Sequence, residues 1–214
     1  MRVDVWSDVV CPWCAIGKAN LEAALAHFEH AAEVEVVWRS FELAPNAPSV
    51  RSGDYPSAIA RRYGTTADGA RQVLARITDA GAEAGLELHL ERARPGNTFD
   101  AHRLLHMARA EGCQAAVEDR FMRAYLSEGA AIGERPVLTA LAVEAGLDRV
   151  RVEEVLEGDE FAEAVRADEE EAAERDITGV PHFLLGGRFG VPGAQSPDTL
   201  LAMLGRAWDR LSSG

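Results

Sequence analysis

"VWSDVVCPWCAIGKANLEAALAHF", residues 5 to 28, carries two cysteines, Cys11 and Cys14, with Pro12 and Trp13 between them. Just before them polar and apolar side chains alternate, so Val3–Trp6 reads as a short strand. Beyond them Leu21, Leu25 and Phe28 recur at helical spacing, backed by Ala24, and a helix is predicted from Trp13 to about His30. Pro12 suits the first turn of that helix, where its missing N–H leaves nothing unpaired. Cys11 then stands at the helix start and Cys14 one turn in on the same face, so the two sulfurs can meet. Val34–Phe41 is rich in β-branched and aromatic residues and reads as a second strand. Strand, helix, strand in this short span is a right-handed βαβ unit with parallel strands.

The rest of the chain changes period twice. "APNAPSVRSGDYP", residues 44 to 56, is a Pro/Ser/Gly linker. From about Tyr55 to Asp176 helices are predicted near 55–63, 66–85, 98–111, 114–127, 134–146, 149–157 and 160–175. Thr66 and Thr139 are read as start signals, and Gly85, Gly112 and Gly146 as stops. The acidic run Asp168–Glu171 reads as a solvated helix face. Then "VPHFLLGGRFGV", residues 180 to 191, holds two short strands, around His182–Leu185 and Arg188–Val191, joined by a two-residue Gly186-Gly187 turn of the primed kind. Ser196 and Pro197 open a last helix to about Leu211 as N-cap and first helical residue.

Three chemistries compete for the cysteine pair. A metal site wants about four ligands, usually two such pairs. Here the remaining thiol, Cys113, stands alone, and no His has ligand spacing. A purely structural buried pair is the second reading. Thiol–disulfide exchange is the third, and the local sequence favours it. A cysteine with an ordinary pKa near 8.5 is only about 3% thiolate at pH 7. A fall of roughly two units would make it mostly anionic and corresponds to about 2.7 kcal/mol. A helix dipole contributes about 1 kcal/mol, so first-turn N–H groups are expected to supply the rest.

Five stretches, "SDVVCPWC" (7–14), "FELAPNAP" (41–48), "NTFDAHRLLHMA" (97–108), "GVPHFLL" (179–185) and "FGVPGAQSPDTL" (189–200), resemble the DsbA family of thioredoxin-like proteins, specifically its FrnE-like branch. The resemblance covers essentially the whole chain. It implies an α/β fold, a thioredoxin-like core (βαβ…ββα) with an all-helical domain inserted after the second strand. On that reading residues 1–45 and 176–214 form the thioredoxin-like domain and 46–175 the insertion. It also implies thiol–disulfide oxidoreductase activity, with Cys11 as nucleophile, Cys14 as resolving thiol and Pro181 as a cis-proline beside them. A cis bond at Val180–Pro181 would turn the Val180 backbone toward the groove beside Cys11, where an extended substrate strand can pair with it.

Trp13, Val180, Asn97 and His102 are the candidate substrate-binding residues. Asn97 and His102 belong to a family motif in the insertion, read either as a helix cap with a first-turn histidine or as groove lining that meets substrate or glutathione. DsbA itself has His where this chain has Trp13, and Trp13 carries no charge to help a thiolate, so a milder oxidant is expected. Asp8 is read as capping the turn before the helix, with relay of the Cys14 proton as the alternative. His182 is a strand residue or a flank of the groove. Cys113 reads as a small buried apolar side chain.

Two other functions stay open. The 2-hydroxychromene-2-carboxylate isomerases and kappa-class glutathione transferases are a sister branch that uses bound glutathione and typically carries Ser at the position of Cys11. A non-catalytic binding module could use the same groove. No cofactor is required on the preferred reading; glutathione is the expected redox partner or co-substrate, no metal is implied, and a homodimer is compatible with the family. Net charge is 22 − 35 = −13, which repels phosphate backbones and anionic lipids, so neither nucleic acid nor membrane is an expected partner. No stretch is apolar for the roughly 18 residues a membrane helix needs. With acidic Asp4 and Asp8 near the start, no secretory leader is read and a cytoplasmic location is expected. The remaining partner class is a thiol- or disulfide-containing protein or small molecule.

Overall fold

The computed structural model describes residues 1–49 and 55–212. Along the chain come β1 (Arg2–Ser7), α1 (Pro12–Ala26), β2 (Glu35–Ser40), α2 (Tyr55–Tyr63), α3 (Ala67–Glu83), α4 (Phe99–Ala110), α5 (Gln114–Arg123), α6 (Arg135–Glu144), α7 (Arg149–Glu157), α8 (Ala162–Glu174), β3 (His182–Leu185), β4 (Phe189–Pro192) and α9 (Pro197–Ser212). The fold is mixed α/β, with a βαβ…ββα thioredoxin-like core and helices between β2 and β3. Part of the 44–56 linker, residues 50–54, lies outside the described residues.

The sheet order is β2-β1-β3-β4. β1 runs parallel to β2 and antiparallel to β3, and β3 is antiparallel to β4. Alternation along β1 sends its side chains to two faces. Val3 and Val5 join Leu21 and Ala24 of α1, Phe183 and Leu185 of β3, and Leu200 and Leu204 of α9 in one buried cluster. Trp6 faces the other way, onto Ala172, Ile177 and Leu184. The indole N–H of Trp6 donates to the Asp168 carbonyl at 2.9 Å, which satisfies its one polar atom. The third and largest cluster takes in Cys11, Cys14, Ala15 and Ile16 together with side chains of the helices that follow β2. The thiols therefore lie where the sheet-bearing part meets the helical part.

β2 is an edge strand, and its open side is covered. The Gln114 side chain of α5 accepts from Trp38 N–H at 3.1 Å and donates to Trp38 C=O at 2.9 Å, the pairing a further strand would make. Next to it, Asp168 of α8 accepts from Ser40 N–H at 2.9 Å and from Arg39 Nη1 at 2.6 Å, and lies 3.0 Å from His106 Nε2. Asp168 is thus buried and corrects the reading of the acidic run as a solvated face; only Glu170 of the four is fully exposed.

Helix ends follow their chemistry with one exception. Thr66 caps α3 by accepting from Gly69 N–H at 3.2 Å, and Ser196 caps α9 by accepting from Thr199 N–H at 3.3 Å. Gly85, Gly112 and Gly146 all take positive φ just past helices, the left-handed stop that glycine allows. Thr139, read as a start, lies inside α6; Glu134 and Arg135-Pro136 open that helix instead. The β3–β4 register pairs Leu185 with Phe189, so three residues rather than two separate the paired positions, although Gly186 and Gly187 both have positive φ.

Candidate active site

The turn into α1 is built by Asp8. Its carbonyl accepts from Cys11 N–H at 2.9 Å, and its carboxylate accepts from Val10 N–H at 3.4 Å and from Leu43 N–H at 2.8 Å. Asp8 therefore closes the turn and ties it to the chain leaving β2, the capping role read from sequence. Cys11 is the N-cap of α1 in extended backbone, Pro12 follows at the first helical position, and Cys14 lies one turn in. Both thiols are free.

Cys11 is only 4% exposed and Cys14 is fully buried. The hydrogen bonds expected from first-turn N–H groups to the Cys11 sulfur are not made. Cys14 N–H and Ala15 N–H donate instead to the Cys11 carbonyl, at 3.0 and 3.2 Å, and the side chain makes no capping bond. Sγ of Cys11 instead donates to the Val180 carbonyl, 3.8 Å away. The Val180–Pro181 peptide bond is cis. Residues 11 and 180, distant in sequence, are thus in contact, with the cis bond directly after Val180.

Gly17 is what lets α1 press against this loop. A Cβ there would stand 2.9 Å from Pro181 Cγ, closer than real packing permits, and 3.2 Å from Phe183 Cζ, a tight contact. On the other side the Pro181 carbonyl accepts from Gly193 N–H at 2.8 Å. Gly179 is exposed, with open space where a side chain would be, so the loop is approachable from solvent.

Burial pushes the Cys14 thiol well above its ordinary value, and its neighbour Cys11 adds to the rise; hydrogen bonds from Asp8 backbone and the Ser7 side chain oppose it. The reason is general: a thiolate without water is costly unless something donates to it. Burial thus favours the protonated form of Cys14.

The four candidate substrate-binding residues fare differently. Trp13 and Val180 are half-buried and flank the thiols, packed on the cluster that contains them. Asn97 is engaged with its own chain: its amide donates to Glu42 Oε2 at 3.3 Å and to the Pro45 carbonyl at 3.2 Å, and accepts from Phe99 N–H at 2.9 Å. It caps the start of α4 from one residue before the N-cap position, where Thr98 makes no side-chain capping bond. His102 is 1% exposed and lies 3.5 Å from Asp8 Oδ1, so it is enclosed beside the turn that leads to the thiols. Burial opposes the charged imidazole, but Asp8 overrides it and, with Glu118 and Glu42, holds the His102 pKa above its ordinary value. His182 packs edge-on against Trp6, ring centroids 6.4 Å apart, and burial lowers its pKa. Cys113 is half-buried at the start of α5, less enclosed than expected.

Two site residues escaped the sequence reading, Ser7 and Glu118. Glu118 is fully buried on α5, and burial lifts its pKa to about 7 against the pull of Ser7, His102 and Lys18. The signal was present: Gln114 and Glu118 are four apart, on the side of α5 that buries Val117 and Phe121, where polar residues need a reason.

Among the described residues, no group of three or more His, Cys, Asp or Glu is arranged to hold a metal, and no helix is long and apolar enough to cross a membrane. The family model for the DSBA-like thioredoxin domain matches residues 2–205. YwbO of Bacillus subtilis (strain 168) is 30% identical over 201 residues, 92% of each chain. The crystal structure of the probable DsbA oxidoreductase SCO1869 from Streptomyces coelicolor superposes with a TM-score of 0.93 at 40% identity, over 98% of this chain and 90% of that one. Two more distant structures share the fold: 2-hydroxychromene-2-carboxylate isomerase (20% identity, TM-score 0.68, 99% and 96% covered) and the cytosolic disulfide reductase DsbM from Pseudomonas aeruginosa with glutathione (18%, 0.67, 98% and 100% covered).

Proposed function

We propose, for a chain that belongs to the DSBA-like thioredoxin domain family, that it is a cytoplasmic thiol–disulfide oxidoreductase working through Cys11 and Cys14. The observation that carries the reading is the pair of free thiols at the start of α1, with Cys11 against the Val180 carbonyl beside Pro181. Residues 1–45 and 176–214 act as the exchange domain, and 46–175 as the helical insertion domain.

Reduction of a substrate disulfide then runs in two steps. Cys11, as thiolate at the positive end of α1, attacks one substrate sulfur; a new S–S bond forms and the other substrate sulfur leaves as a thiolate that takes a proton. Cys14 loses its proton and attacks Cys11 Sγ; the mixed disulfide breaks, the Cys11–Cys14 disulfide forms, and the second substrate thiol is released. The dithiol has lost two electrons and the substrate has gained two. Run backwards, the same steps oxidise a substrate dithiol. An extended substrate would pair with the Val180 backbone beside Cys11, with Trp13 as the adjoining apolar surface. Glutathione is the proposed recycling thiol, and the net charge of −13 argues against nucleic acid as a partner.

Insulin reduction in the presence of glutathione tests this. Wild type should turn over, Cys11→Ser should lose activity, and Cys14→Ser should accumulate a mixed disulfide on Cys11. Turnover indifferent to Cys11→Ser would overturn the reading and favour a glutathione-dependent isomerase of the hydroxychromene carboxylate type.

A further inference from the structure

One flank of α1 opens onto a cleft of about 860 Å³ that the two-step exchange leaves without a task. Its walls are α1, α5 with the turn after it, and residues 85–92. Ala19, Leu86, Met122 and Leu126 give it an apolar lining. The cleft starts beside the thiols. Ala15, which lines it, donates its N–H to the Cys11 carbonyl at 3.2 Å. From Cys11, residues 15, 18 and 22 follow at steps of four, three and four, so Ala15, Lys18 and Glu22 continue one stripe of the helix away from the site. Gly17, which meets Pro181, stands about 200° round the helix from Ala15. The cleft and the Val180–Pro181 loop thus flank the start of α1 on opposite sides.

The α1 wall of the cleft carries an excess of negative charge. The Lys18 side chain is buried, with its ammonium 5.9 Å from the Trp38 ring centroid. It is held by Glu22 Oε1 and by Asp119 Oδ1, the latter at 2.6 Å. Both carboxylates are largely open to solvent. A carboxylate accepts through both oxygens, so each can take a further donor while it keeps Lys18. Glu87 adds another exposed carboxylate across the cleft. The cations of the lining are already matched: Arg123 lies 3.3 Å from Glu128, and Arg92 lies 3.6 Å from Glu91. A polyanion would meet open carboxylates here, and a purely apolar ligand would strip water from them without replacing it.

We propose that this cleft receives a segment of the substrate protein that carries Lys or Arg among apolar residues. The proposal rests on the exchange reading above and names a substrate class for it. Lys18 and Glu22 lie seven and eleven residues past Cys11, roughly 10 and 16 Å along a helix. An extended chain covers that distance in about three to five residues. Disulfides with a basic residue about three to five positions from the attacked cysteine are therefore the preferred substrates. The basic side chain joins Glu22 and Asp119, and apolar neighbours cover Ala19 and Met122. The exchange of sulfurs and electrons is unchanged; the cleft sets which cysteine is presented to Cys11.

The test uses alanine-rich peptides with one leucine and one cysteine, the cysteine held as a mixed disulfide with thionitrobenzoate. Lys, Ala or Glu stands four residues from the cysteine, on either side in turn. When reduced protein is added, Cys11 joins the peptide sulfur, the coloured thionitrobenzoate leaves, and Cys14 then displaces the peptide thiol. Each rate is divided by that of the same protein with the mixed disulfide of 2-mercaptoethanol, which is too small to reach the cleft. On one side of the cysteine the Lys peptide should react about fivefold faster than the Ala peptide, the scale of one ammonium between two partly screened carboxylates, and the Glu peptide more slowly than either. Lys directly beside the cysteine should gain less, which separates the cleft from the general pull of the net charge of −13. Glu22→Gln, which leaves Asp119 on Lys18, should cut the Lys preference to about twofold. Ala19→Phe, which fills the cleft, should slow the Lys and Ala peptides alike. Relative rates within about 1.5-fold for Lys, Ala and Glu, an equal gain for Lys beside the cysteine, or a preference that survives both variants would overturn the proposal. If the peptides react through Cys11 without regard to Lys, the exchange reading stands and the cleft assignment falls. If none reacts, a fluorescent cysteine-free Lys peptide decides: saturable binding lost in Ala19→Phe keeps the cleft while the exchange reading falls, and no binding ends both.

Discussion

Replacing Glu118 with glutamine should make the protein more stable above neutral pH and leave it little changed in mild acid. The carboxyl is fully buried, and its pKa rises from an ordinary 4.5 to about 7 on folding. Below pH 4.5 the acid is protonated in both states and contributes no penalty. Between pH 4.5 and 7 the unfolded chain releases the proton while the folded chain keeps it. The folded state then binds more protons, so stability falls as pH rises, at up to 1.36 kcal/mol for each pH unit. The loss accumulates to about 3 kcal/mol by pH 8, since above the folded pKa the buried group must ionise too. Glutamine has no such proton, while the titration of His102 is present in both chains and largely cancels in the difference. The assay is urea unfolding of both proteins, reduced throughout, at pH 5, 6, 7 and 8. From pH 5 to 8 the gap in unfolding free energy should widen by about 2.5 kcal/mol in favour of Glu118→Gln, a midpoint shift of roughly 1 M at ordinary urea slopes. A gap constant within about 0.5 kcal/mol from pH 5 to 8 would refute the buried, protonated carboxyl.

Gly17→Ala gains about 1 kcal/mol of helix propensity but forces a methyl onto Pro181 and Phe183, an overpacking cost of about 1–3 kcal/mol, so a net loss in urea midpoint and slower insulin reduction are expected. Gln114→Leu strips both backbone partners from Trp38 on the β2 edge and should cost about 2–4 kcal/mol; a loss below about 0.5 kcal/mol would mean the edge is satisfied otherwise. Asp168→Asn should cost about 3 kcal/mol near pH 7, because the carboxylate is the shared partner of Arg39, His106 and Ser40. Burial acts to raise the Asp168 pKa, but His106, Ser40 and Arg39 outweigh it and hold it below 3.8, so its contribution is present above about pH 4 and fades as pH falls through the folded pKa. The wild-type advantage over Asp168→Asn should therefore shrink in urea melts below pH 4.

The periodicities of the sequence carried the architecture, because each element buries one face. Leu21 and Ala24 lie in the cluster beneath β1, and the alternation of β1 puts Val3 and Val5 on one side of the sheet and Trp6 on the other. Local chemistry also located the helix ends at Thr66 and Ser196, but misled at Thr139, since a threonine inside a helix looks the same in sequence as one that starts it. Polar residues were the hardest to place. Asp168, in an acidic run, carries no local mark of burial, and Glu118 is marked only by sharing the side of α5 that holds Val117 and Phe121; each is enclosed because other segments pack over it. His102 stayed open between a first-turn helix residue and groove lining because its motif does not state its depth; the structure buries it 3.5 Å from Asp8. The contact between Cys11 and Val180 joins residues 169 positions apart, a closeness the residues alone do not state.

Equilibrating the protein with glutathione at a series of redox poises, trapping free thiols by alkylation and reading each cysteine by mass spectrometry is the most direct measurement. Cys11 and Cys14 should pass together between dithiol and an intramolecular disulfide in a single two-electron transition, abolished by either Cys→Ser substitution. If no bond between those two sulfurs forms at any poise, thiol–disulfide exchange at this pair is wrong.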